Sequence, residues 1–175
     1  MRKPLLSAGG LTSGISVFSI FGVAMLLWFT FCAQAFAGDG NGDRSMLPST
    51  ILPRYQTECA SCHIAYPPGM LAKQSWINLM KGLDTHYGAD ASLDAESIKD
   101  ISGWLAQHAG TYKRVDPAPT DNRITESAWF VRKHRKIQPE VWLRPSIKSA
   151  SNCAACHIQA EQGDYRERNI TIPKN

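Results

Sequence analysis

Two five-residue strings, CASCH at Cys59–His63 and CAACH at Cys153–His157, constrain this 175-residue chain more than any other feature. Cysteine occurs at 32, 59, 62, 153 and 156, so all but Cys32 fall in these strings, together with two of the five histidines. Cys-x-x-Cys followed at once by His is the attachment signature of c-type haem. Two thiols about one helical turn apart add to the two vinyl groups of one porphyrin, and the next residue swings its imidazole beneath the ring as proximal iron ligand. The strings imply two covalently bound haem c groups, one on Cys59 and Cys62 and one on Cys153 and Cys156, with His63 and His157 as proximal ligands. Three plainer readings compete. Disulfides within Cys-x-x-Cys close tiny loops that stabilise little and leave both histidines unexplained. A zinc site built from both pairs would have to bridge about ninety residues, far beyond the common ribbon spacing. A thioredoxin-like redox motif calls for one pair near a βαβ pattern, which the sequence does not show.

The compartment agrees with this chemistry. Arg2 and Lys3 precede a stretch with no charge before Asp39, and its most apolar part runs from Ile15 to Cys32. This is the pattern of an export signal, and Ala35 and Ala37 supply the small residues for a cut after Ala37. The run is slightly longer than a usual signal core, so a retained anchor stays as the alternative. Both place the body beyond the membrane, in the periplasm. Residues 1–37 are read as signal peptide and 38–50 as a flexible Gly- and Asp-rich segment. Asp39, Asn41 and Asp43 echo a calcium loop, but Arg44 and Thr50 stand where its glycine and bidentate glutamate belong. The net charge of +4 falls to +2 without Arg2 and Lys3, and no long single-sign block follows, so the composition speaks against nucleic-acid binding.

Along the body, Tyr66-Pro67-Pro68-Gly69 ends any helix after the first string. Trp76, Leu79, Met80 and Leu83 recur at helical spacing, His86 continues that face, and Gly88 is the expected stop. A further helix, capped by Ser92 or Asp94, carries Ile98, Ile101, Trp104 and Leu105 to Gly110. The connector Asp116–Thr120 leads to a helix over 124–137, capped by Thr125 or Ser127, with Phe130, His134 and Ile137 on one stripe. Residues 149–163 read as a second attachment helix, and the tail from Asp164 as extended. No strand emerges. The expected fold is mainly α, with two small haem-binding units at 51–115 and 116–175, each haem serving as core and Trp76, Trp104, Trp129 and Trp142 as walls.

The sixth iron ligand decides the job. His86, His108 and His134 remain, with Met70 and Met80 as sulfur alternatives once Met46 is set aside with the loose segment. Two histidines give a saturated low-spin iron suited to electron exchange, a Met raises the potential, and an open position invites a small molecule. His86 and His134 are the expected distal ligands. Both lie on apolar faces, and each is 23 residues from a proximal histidine in mirrored order. His108 falls in the last turn of its helix, where an exposed or dipole-facing histidine is ordinary. Met70, in Pro-Pro-Gly-Met, keeps His/Met ligation open at the first centre. The cations Arg132, Lys133, Arg135 and Lys136 around His134 read either as a solvated face or as a surface for propionates and an electron-transfer partner.

With these residues in place, the chain resembles the periplasmic dihaem cytochrome c family over nearly all of 51–173. The resemblance is carried by Cys59, Cys62, His63, Trp76, His86, Gly88, Arg123, Ile124, Thr125, Trp129, His134, Cys153, Cys156, His157, Ile172 and Pro173. It implies a first part similar to class I cytochromes c, a second short helical haem part of different build, and bis-histidine ligation at both irons. It also implies electron delivery to a soluble, oxygen-binding monohaem cytochrome c, with electrons accepted from a membrane donor such as a b-type cytochrome. The expected function is therefore an electron-transfer protein with no catalytic residues. The competing class, a small peroxidase-like or oxygen-reactive haem enzyme, requires one iron to have an open position.

Overall fold

Short helices separated by proline, glycine and hydroxyl-bearing caps build the chain in a computed structural model that describes residues 46–111 and 114–174. The expected signal segment 1–37 and cut site lie outside the described residues. The described residues fall in one compact unit. Pro53 opens α1 (Pro53–Cys59), where a missing N–H costs nothing. After a 3₁₀ turn at Pro68–Met70 comes α2 (Lys73–Lys81), then the longest helix, α3 (Ala95–His108). Asp94 caps α3 by accepting from the Glu96 and Ser97 amides, both at 2.9 Å. Ser127 does the same for α4 (Ala128–His134), its Oγ accepting from Phe130 N at 3.1 Å, and α5 (Pro139–Trp142) follows. Among the described residues there is no strand, only isolated bridges.

The main core lies between α2 and α3. Ile101 and Leu105 meet Trp76, Met80, Leu71 and Tyr55, each burial stabilising by about 1.5–3 kcal/mol before entropy is counted. Trp76 Nε1 donates to Pro68 O at 2.7 Å, tying α2 to the turn that precedes it. Gly110 donates to Leu71 O at 2.8 Å at a crossing that only glycine permits, since a Cβ there would stand 2.5 Å from Gly69 O. The second cluster joins Met46 and Met70 to Ala160 and Tyr165, drawing on both ends of the sequence.

Three expectations are corrected. Met46, assigned to a loose segment, is 1% exposed and packed beneath Gly69, so 46–50 is anchored at its start. The helix leading to His86 stops at Lys81, with Gly82 as its cap. His86 follows a 3₁₀ turn at Leu83–Thr85 and stands just before Tyr87 (φ 52°) and Gly88 (φ 95°), which turn the chain back. Residues 149–163 are not a helix. Only 3₁₀ turns form, at Cys153–Ala155 and Ala160–Gln162. Ser149 and Asn152 there bond backbone groups outside any helical ladder, Ser151 N to Ser149 Oγ at 3.2 Å and Asn152 Nδ2 to Ile147 O at 3.0 Å. The tail from Asp164 includes a further 3₁₀ turn at Glu167–Asn169. It returns to the second string, Thr171 N donating to Cys156 O at 3.0 Å.

Two candidate haem centres

The first centre begins where α1 ends. Cys59 is the last helical residue, and the turn beyond it presents Cys62 and His63. His63 Nδ1 lies 2.6 Å from the Ile64 carbonyl. A carbonyl only accepts, so Nδ1 carries the proton and Nε2 keeps its lone pair. Tyr66 stacks on the His63 ring with centroids 4.7 Å apart. Opposite stands His86, its ring centroid 6.3 Å from that of His63 and its plane inclined by 28°. Cys59, Cys62, Trp76 and Met80 line the cavity with these two histidines. His86 Nδ1 is buried without a hydrogen-bond partner. Burial lowers the pKa of His86, with electrostatic contributions from His63 and the Arg123 guanidinium in the same direction, which favours the neutral ring.

The second centre is assembled from more distant segments. Cys153, Cys156 and His157 come from the short turn, and His134 from the last position of α4, where Trp129 and Trp142 complete the walls. His134 Nδ1 lies 2.9 Å from Phe130 O, one helical turn back, so Nε2 is again the nitrogen left to bind. Its ring stacks on Phe130 at 3.9 Å and stands 6.1 Å from His157, with the planes 79° apart. Burial lowers the pKa of His134, with Lys133 reinforcing it against the Phe130 hydrogen bond. Tyr165, buried and 5.1 Å from His157, also lines this cavity.

Both centres fit an iron porphyrin. Two metal–imidazole bonds of about 2 Å, together with the half-widths of two five-membered rings, separate ring centres by about 6 Å. The two histidine pairs stand at that spacing. The histidines with a Nδ1–carbonyl bond have the tautomer and orientation that metal-ligating imidazoles adopt. The four cysteines of the strings form no disulfide among the described residues, and burial pushes the Cys59 and Cys153 thiols up to about 11. No three His, Cys, Asp or Glu side chains gather as a metal-binding group among the described residues.

The other candidates separate cleanly. His108 donates from Nδ1 to Trp104 O at 2.8 Å and packs against Trp104, and neither residue lines either of these two cavities. Trp104 therefore serves the core, not a haem wall. Met80 lines the first cavity, whereas Met70, considered for the first centre, lines the second. Tyr66 and Tyr165 were not recognised as site residues in the sequence. Tyr66 is three positions past His63, a spacing that could have drawn attention, but nothing local marks Tyr165.

The sequence profile of the dihaem cytochrome c family matches residues 55–165, which contain both strings, His86 and His134. A diheme cytochrome c from Shewanella baltica is 36% identical, with a TM-score of 0.61 over 69% of this chain and 92% of its own. The diheme cytochrome c from Rhodobacter sphaeroides is 38% identical, with a TM-score of 0.60 over 68% of this chain and 99% of its own. Another structure of the Rhodobacter sphaeroides protein gives 41% identity and a TM-score of 0.57, over 66% and 98%. No curated protein matches the chain. The chain belongs to the dihaem cytochrome c family, a mainly helical protein that carries two haem c groups and transfers electrons.

Proposed function

We propose that the protein is a periplasmic shuttle that takes electrons from a membrane donor, such as a b-type cytochrome, and passes them to a soluble, oxygen-binding monohaem cytochrome c. The observation that carries this reading is the opposition of His63 to His86 and of His157 to His134, at 6.3 and 6.1 Å between ring centroids. In it Cys59, Cys62, Cys153 and Cys156 hold the haems, His63 and His157 bind the irons proximally, and His86 and His134 bind them distally. The bound haem supplies an iron centre that changes oxidation state by one electron. The chain's own residues keep that change free of ligand exchange. Phe130 O and Ile64 O fix the tautomers of His134 and His63, and burial holds His86 and His134 neutral. Trp76, Trp129 and Trp142 exclude water from the cavities. Periplasmic location rests on Arg2, Lys3, the apolar run from Ile15 to Cys32 and the small pair Ala35 and Ala37.

The enzyme alternative needs one iron without a distal histidine, and the paired rings in both cavities weigh against it. Reduced holoprotein is expected to be low-spin at both irons and indifferent to carbon monoxide. His134→Ala should open the second centre alone, giving one high-spin iron and one carbon monoxide adduct per chain. A fully low-spin spectrum in that variant would remove His134 from the ligand set, and a carbon monoxide adduct in the parent would favour the enzyme.

A further inference from the structure

Charge is divided unevenly between the halves. Over 46–111 there are four Lys and Arg against six Asp and Glu, and over 114–174 eleven against seven. The excess gathers at the second centre, where Arg132, Lys133, Arg135 and Lys136 surround His134 within two residues on each side. All four are exposed, and none forms an ion pair among the described residues. Lys133 lines the cavity and is available to a haem carboxylate, but Arg132, Arg135 and Lys136 do not line it, so a group held in the cavity does not account for them.

The same half also exposes large apolar side chains. Val131, Leu143 and Ile158 are 56%, 77% and 66% exposed, and none of them lines a cavity. Each is the chain neighbour of a residue that lines the second cavity: Phe130, Trp142 and His157. Tyr87 is the exposed large apolar residue that lines the first cavity, whose charged lining is Glu58, Asp90 and Arg123, against Lys133 and Glu167 in the second. Exposed apolar residues together with an excess of one sign of charge are the pattern of a transient protein interface steered by electrostatics.

We propose that the cationic collar of Arg132, Arg135 and Lys136, with the apolar residues Val131, Leu143 and Ile158, is the docking face for an acidic redox protein at the second centre. The inference rests on the shuttle reading and adds the sign of the partner's surface and the centre it meets. Arg135 also donates to Arg132 O at 3.0 Å, which holds its guanidinium over the end of α4.

The test is binding, independent of electron transfer. Oxidised holoprotein is titrated into an acidic plastocyanin whose copper has been replaced by redox-inert cadmium, with complex formation followed by nuclear magnetic resonance. The parent should bind at low ionic strength and weaken as salt rises. The triple variant Arg132→Glu, Arg135→Glu and Lys136→Glu should bind at least about tenfold more weakly, and the corresponding triple Gln variant should fall between. A control with Lys73→Glu, Lys81→Glu and Lys99→Glu, three exposed lysines of the other half, makes the same change in net charge and should bind within about twofold of the parent. Unchanged affinity in the Glu and Gln collar variants, or an equal loss in the control, overturns the proposal. Failure of the shuttle reading would show separately, as carbon monoxide binding to the reduced parent.

Discussion

Imidazole orientation distinguishes the two centres. His63 and His86 lie 28° from coplanar, while His134 and His157 are 79° apart. The cause is local. His63 is held between Ile64 O and the Tyr66 ring, whereas His134 is turned by its bond to Phe130 O and by stacking on Phe130. Nearly parallel axial rings donate into one iron dπ orbital and split the pair widely; nearly perpendicular rings donate into both and leave them close in energy. Oxidised holoprotein should therefore show two unlike low-spin paramagnetic resonance signals, a rhombic one from the first centre and a strongly anisotropic one from the second. His134→Ala should abolish only the anisotropic signal. Two signals of the same shape would mean that the ring planes are not those described.

Helix α4 delivers His134 although seven residues are too few to be stable alone in water. Its support is tertiary packing through Phe130 and the Ser127 cap, both buried. Ser127→Ala should cost about 1 kcal/mol of stability and leave Phe130 N without its partner. Because the cap holds the first turn of the two-turn helix that ends on His134, the second centre should exchange its distal ligand for cyanide faster, with the first centre unaffected. Asp94→Ala, which uncaps α3, should lower the unfolding midpoint without that effect, since α3 carries no ligand. Equal cyanide rates in parent and Ser127→Ala would mean that the cap does not hold the ligand. Both caps were readable in the sequence because an N-cap is decided within three residues, and so was the break at Pro67-Pro68. The attachment strings were readable for the same reason. The path to His86 was not: helical spacing runs smoothly through Leu79 and Leu83, yet Gly82 stops α2 and Tyr87 takes a positive φ that no pattern announces. The helix expected over 149–163 does not form because Ser149 and Asn152 bond backbone groups outside a helical ladder. Met46 could not be found from its Gly- and Asp-rich surroundings, since its partners Ala160 and Tyr165 lie more than a hundred residues away.

Across the whole molecule the two centres share a wall. Ile124 and Cys153 line both cavities, and Tyr66 crosses between them, stacking on His63 while its hydroxyl donates to Ser151 O at 2.7 Å. Tyr55 in turn donates to Tyr66 O at 2.5 Å, linking this strut to the core beneath α3. Met46 and Met70 pack with Ala160 and Tyr165, so neither half, 51–115 or 116–175, encloses its cavity without residues of the other. Burial shared in this way couples the halves, because opening one exposes apolar surface of both. The holoprotein should therefore unfold in a single transition. Urea titration followed by far-ultraviolet circular dichroism, to which α3 as the longest helix contributes most, and by loss of the anisotropic low-spin signal of the second centre should give coincident curves. Tyr66→Phe keeps the ring on His63 but leaves Ser151 O without its donor, and should shift both curves together by about 1 kcal/mol. Loss of the second-centre signal while the helical signal persists would show that the shared wall does not couple the halves and that the two haem units unfold independently.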